Sequence, residues 1–146
     1  MFEPYGALAR AVDGFQPRAG QAEMAQAVAR VMEQGGVLVA EAATGVGKTF
    51  AYLVPALLSG ERVLLSTATK ALQDQLFGRD LPRLAQALGV PVRTALLKGR
   101  GSYLCLHRLE LAGQAIDAGT PHLRRTLSNV ERWAKATRTG DLAEVP

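Results

Sequence analysis

Apolar and polar positions follow two different rhythms along this chain. In QAEMAQAVARVMEQGG (21–36), Met24, Val28, Val31 and Met32 fall near one face at helical spacing. Gly35 and Gly36 end that predicted helix. VLVAE (37–41) is apolar up to Glu41, the pattern of a short strand buried on both faces. The loop AATGVG leads into a predicted helix from Lys48 to about Leu58. Pro55 inside it lacks a backbone donor and is expected to kink it. Gly60 closes the helix, and RVLLST (62–67) is a second predicted strand. TKALQDQLFGRDL (69–81) is helical, Pro82 opens a short helix to about Leu88, and VRTALL (92–97) is a third predicted strand. This alternation predicts an α/β fold, a parallel sheet with crossover helices.

Beyond Leu97 the character changes. YLCLHRLELAGQAIDAG (103–119) and PHLRRTLSNVERWAKAT (121–137) predict two helices, with Thr120 as cap and Pro121 in the first turn of the second. RTGDLAEVP (138–146) has no periodicity and predicts a loop. There is no internal repeat or low-complexity segment.

The 146 residues, 48% apolar and 21% charged, suit one soluble globular domain. No apolar run reaches the roughly 18 residues that a membrane span needs. The opening MFEPYGALARAVDGF is not expected to be a secretory signal. A single cysteine, Cys105, excludes an internal disulfide framework, fits a reducing compartment and predicts a cytoplasmic location. The net charge is 17 − 13 = +4, unevenly spread. From Arg93 to Arg138 nine Lys/Arg face three acids, Glu110, Asp117 and Glu131. A solvated helical surface and a basic face for a polyanion both account for that segment.

Ala42 to Thr49 fit the phosphate-loop pattern [AG]-x-x-x-x-G-K-[ST], with Ala42 in the relaxed first position. Gly45 and Gly47 let the backbone curl so that the N–H groups of Thr44, Gly45, Val46 and Gly47 turn inward. They stand at a helix start, where the dipole also favours an anion. Lys48 would reach the β and γ phosphates, and Thr49 would offer its hydroxyl to Mg²⁺. The plain alternative is a glycine-bearing strand-to-helix turn that binds nothing. Hydrolysis needs more: an acid at another strand's end to help hold Mg²⁺, and a group to orient water. No acid is so placed, and no two acids are adjacent. The chain is therefore expected to contact a nucleoside triphosphate without the visible means to split it.

FQPRAGQAEMAQAV, EAATGVGKTFAYLVPAL, LLSTATKALQDQL and LLKGRGSYLCLHRL occur in that order between Phe15 and Leu109. Together they resemble the start of a DinG/YoaA-type DNA helicase, a bacterial relative of the XPD iron–sulfur helicases of superfamily two. The resemblance implies a partial RecA-like motor domain over 1–97 and the start of a helical iron–sulfur insertion over 98–146. It implies that Arg18 and Gln21 contact the adenine of ATP, and that Lys48 and Thr49 serve hydrolysis in the complete enzyme with ATP and Mg²⁺. STATKALQDQ resembles the motif that lies along single-stranded DNA, which makes Thr67, Thr69 and Lys70 candidate phosphate contacts. Helix capping is the alternative for both threonines. Cys105 resembles the first of four cysteines that hold a 4Fe-4S cluster, although Ser102 stands where the family has Asn. Without the resemblance it would read as a small core residue.

The acidic box, the other three cysteines and the second motor domain would lie beyond Pro146, so an N-terminal piece of a longer helicase is expected. The whole protein would then move 5′ to 3′ on single-stranded or forked DNA in the cytoplasm, associated with the nucleoid, alongside replication or repair proteins and no membrane. The alternatives are a fragment that binds nucleotide, DNA or a partner without turnover, and a P-loop protein of another class. With strand neighbours missing, VLVAE would expose ladder groups, so marginal stability or self-association is expected.

Overall fold

The structure is a computed structural model that describes residues 2–12, 14–115 and 121–146. Its contacts divide the chain into two compact units, Met1–Leu96 and Leu97–Pro146.

The first unit is helical. Its elements are α1 (Ala7–Ala11), α2 (Ala19–Gln34), α3 (Lys48–Leu58), α4 (Lys70–Gln75), a π-helical turn (Leu76–Asp80) and α5 (Leu81–Leu88). Gly35 ends α2 at a φ of 76°, and Gly89 ends α5 at 65°, both in the left-handed range that glycine adopts without a Cβ penalty. α3 runs through Pro55 to Leu58 without a break. α2 packs on α3, and α5 packs on both α1 and α3. Leu8, Leu53, Val54, Leu76 and Leu84 form the buried core, bordered by Phe2, Phe15, Phe50 and Leu72. Each such side chain contributes roughly 1.5–3 kcal/mol through removal from water.

The expected parallel sheet is not there. Among the described residues there is no β-strand, and 37–41, 62–67 and 92–97 form no ladder. Their side chains mark the difference. Val37, Val39, Leu64 and Leu97 are 89%, 92%, 93% and 82% exposed. An apolar run disposes a segment to be a strand. It becomes one only when a neighbour about 4.8 Å away exchanges backbone hydrogen bonds with it. None of the three segments takes another as that neighbour, so most of their apolar side chains stay in water, while Leu65 borders the helical core.

The second unit contains a 3₁₀ turn (Arg100–Ser102), α6 (Leu106–Ala115), α7 (Pro121–Ala136) and a 3₁₀ turn (Leu142–Glu144). α6 and α7 pack together, with Gly113 beside Leu127 and Glu131. The cap expected at Thr120 lies outside the described residues. The tail, expected to be irregular, is pinned. Tyr103 and Asp141 form an antiparallel bridge, and Leu104 N–H donates to the Gly140 carbonyl at 2.8 Å. Lys98 Nζ lies 2.7 Å from Asp141 Oδ2, both side chains being almost fully buried. Asp141 Oδ1 accepts from Ala143 N–H at 3.0 Å, and Tyr103 Oη accepts from Lys98 N–H at 2.8 Å.

Candidate functional site

The loop before α3 takes its shape from two left-handed glycines, Gly45 at a φ of 81° and Gly47 at 86°. Gly47 caps α3, which places the loop at the positive end of that helix. Lys48, the first residue of α3, folds its ammonium back onto the loop. Nζ donates to the carbonyls of Ala42 at 2.6 Å and Ala43 at 2.9 Å. The loop is thus wrapped around its own cation.

α2 holds the loop from the other side. Arg18, at its N-cap, donates from Nη1 to the Gly45 carbonyl. Gln21 is buried and donates from Nε2 to the Gly47 carbonyl at 3.0 Å. A Cβ on Gly47 would stand 2.2 Å from that Nε2, so the close approach requires glycine. Gln21 Oε1 is buried with no hydrogen-bond partner, which costs on the order of 1–3 kcal/mol. Val46 rests near Gly20 at the start of α2. Arg18, Gln21, Gly45, Val46, Gly47 and Lys48 are therefore brought together, while Thr44 sits in the turn between the loop's two halves.

Thr49 has a neighbour that the motif does not announce. Burial raises the Tyr52 phenol above its ordinary 10.0, a hydrogen bond from Thr49 works against that, and the charge of Asp80 adds to it. Asp80 is itself buried in the π-helical turn, accepting from Gln75 Nε2 at 2.8 Å and Arg79 Nε at 3.0 Å. Sequence reasoning missed both residues. Nothing in the residue pattern marks a polar side chain inside a helical stretch, where both sit, as enclosed beside Thr49.

Residues 20–139 match the family described as DEAD/DEAH box helicase. The chain belongs to the DEAD/DEAH box helicase family. It is 47% identical to the ATP-dependent DNA helicase YoaA of Haemophilus influenzae over 99% of its own length and 22% of that protein's. It is 49% identical to the ATP-dependent DNA helicase YoaA of Escherichia coli over 97% and 22%, respectively. It is 42% identical to the ATP-dependent helicase DinG of Mycobacterium tuberculosis over 92% and 24%. The chain thus spans between a fifth and a quarter of the length of these three relatives. No solved structure matches it.

Other residues that the helicase resemblance singled out are dispersed. Thr69 caps α4, its Oγ1 accepting from Leu72 N–H at 3.2 Å, and Thr67 Oγ1 donates to the Thr69 carbonyl at 3.3 Å. Lys70 is exposed at the first position of α4. Cys105 is free and exposed, just before α6. Among the described residues no group of three or more His, Cys, Asp or Glu is placed to hold a metal. One exposed thiolate does not fit a four-iron cluster, which takes four ligands. Of the basic run, Lys98 is buried against Asp141, whereas Arg100, Arg108, Arg124, Arg125, Arg132, Lys135 and Arg138 are exposed in the second unit. No helix among the described residues is long and apolar enough to cross a membrane.

Proposed function

We propose that this chain supplies the ATP-gripping loop of an ATP-dependent 5′-to-3′ DNA helicase and binds Mg²⁺-ATP without splitting it alone. The observation that carries the reading is Lys48. Its ammonium lies within the glycine curl at the start of α3, satisfied only by two loop carbonyls. A triphosphate offers it stronger, charged acceptors, so Lys48 would exchange those carbonyls for the β and γ oxygens. The N–H groups of Thr44 to Gly47 and the α3 dipole would share that charge. Thr49 would turn its hydroxyl from Tyr52 to Mg²⁺. Gln21 supports a purine reading, because its buried amide has an unpaired Oε1 that would accept from an exocyclic amine of adenine once the side chain turns toward the ligand. Arg18 would stand beside it.

Single-stranded or forked DNA is the proposed track, with Lys70, Thr67 and Thr69 on its phosphates and the exposed arginines of the second unit adding attraction. Cys105 as one of four cluster thiolates is a proposal for the whole protein only. Work at the nucleoid beside replication or repair proteins is part of the same proposal.

The test is titration of the intact chain with a fluorescent ATP analogue and Mg²⁺. Lys48→Ala should weaken binding by about 10- to 100-fold, the worth of a lost charge-assisted contact. Equal affinity would refute the site. Phosphate release should not rise with single-stranded DNA, and robust turnover abolished by Lys48→Ala would overturn the second half of the proposal.

A further inference from the structure

Away from the nucleotide loop, the first unit carries another concavity, a groove of about 810 Å³ along α2 and the C-terminal part of α3. Its floor is mainly apolar, with Ala29 and Met32 from α2 and Leu58 from α3. Its rim is acidic. Glu3, Glu33 and Glu61 all line it and are exposed, and no lysine or arginine does. α2 ends at Gln34 and α3 at Leu58, so both helices bring their partially negative C-terminal ends to this rim. In a chain of net charge +4 this is a local reversal of sign. It repels nucleic acid and anionic lipid alike.

We propose that the groove docks a basic amphipathic helix of a partner protein. From Ala22 to Glu33 the α2 wall runs about 16 Å, the length of three helical turns. A helix laid there would place an apolar i, i+3, i+4, i+7 stripe on the floor. Its flanking lysines and arginines would meet the three carboxylates. An added strand does not suit the site, because the walls are helices whose backbone groups are satisfied internally. The proposal is independent of the nucleotide reading, since no groove residue belongs to 42–49.

The test uses the intact chain and three labelled peptides about four turns long. One carries leucine on one face and lysine on the other, one replaces lysine with glutamate, and one replaces leucine with serine. Only the leucine–lysine peptide should bind. Glu33→Lys combined with Glu61→Lys, both at exposed positions, should weaken it roughly tenfold. Leu58→Gln should weaken it without changing any charge, and circular dichroism would verify that helix content is retained. Undiminished binding by the charge-reversed variant overturns the proposal, as does equal binding of the serine–lysine peptide. A dimer of the chain that Leu58→Gln dissociates, with no peptide bound by the unsubstituted chain, would assign the groove to a second copy and overturn it too.

Discussion

The two units of this chain are held together by different chemistry. In the first, the buried centre is apolar, with Leu8, Leu53 and Leu84 fully enclosed. In the second, the buried groups among the described residues are all polar: Lys98, Ser102 and Asp141. α6 and α7 have no buried residue. One unit rests on water's exclusion of hydrocarbon, the other on an ion pair and the backbone hydrogen bonds around it. The lesson concerns how each fails. An apolar core loses stability in proportion to what is cut away. A buried ion pair fails abruptly, because losing one partner strands the other charge.

That contrast can be broken by substitution. Asp141→Ala should cost about 3–5 kcal/mol within the second unit, the penalty of an orphaned buried lysine. Hydrogen exchange would show it as lost protection at Leu104 N–H, with the helices of the first unit unchanged. Protection that survives at Leu104 would mean that the ion pair does not hold that unit. Leu84→Ala should cost about 2–5 kcal/mol in the first unit, with a centre nearer 3, and leave Leu104 protected. If either substitution loosens both units equally, the two modes of stabilisation are not separate.

The smallest effect is one of pH and belongs to the first unit. Tyr52 has its phenol raised above 10.0 in the folded state, chiefly by burial. A raised value means that the unfolded chain gives up this proton first. The Tyr52 contribution is therefore complete below pH 10 and is lost as pH rises through the folded value. Denaturant titrations should show a modest decline in stability above about pH 10. Tyr52→Phe, which removes the titration, should flatten it, and an identical decline in that variant would exclude Tyr52 as its source.

Much of the glycine loop before α3 was legible in the residues. The order Gly-Val-Gly-Lys-Thr fixes where left-handed backbone is possible and where a cation enters a helix start. The structure puts Gly45, Gly47 and Lys48 in those conformations. Gln21 could be singled out by resemblance, yet its burial against Gly47 could not, since it depends on how α2 lies across the loop. Thr69 left two readings open, and its bond to Leu72 N–H gives it a capping role. Tyr52 and Asp80 carried no signal, because nothing in helical periodicity says which polar side chain will be enclosed.

By itself the sequence determined the loop and the helices from α2 to α7, but not the short α1. Their hydrogen bonds join residues three to five positions apart, and their ends are set by glycine, proline and short polar side chains. Only the tertiary structure decided the rest. Residues 37–41, 62–67 and 92–97 have the composition of strands but take no neighbour from one another, and Lys98 finds Asp141 far along the chain. A ladder or a buried ion pair exists only when distant segments meet, and no local pattern of side chains encodes that meeting.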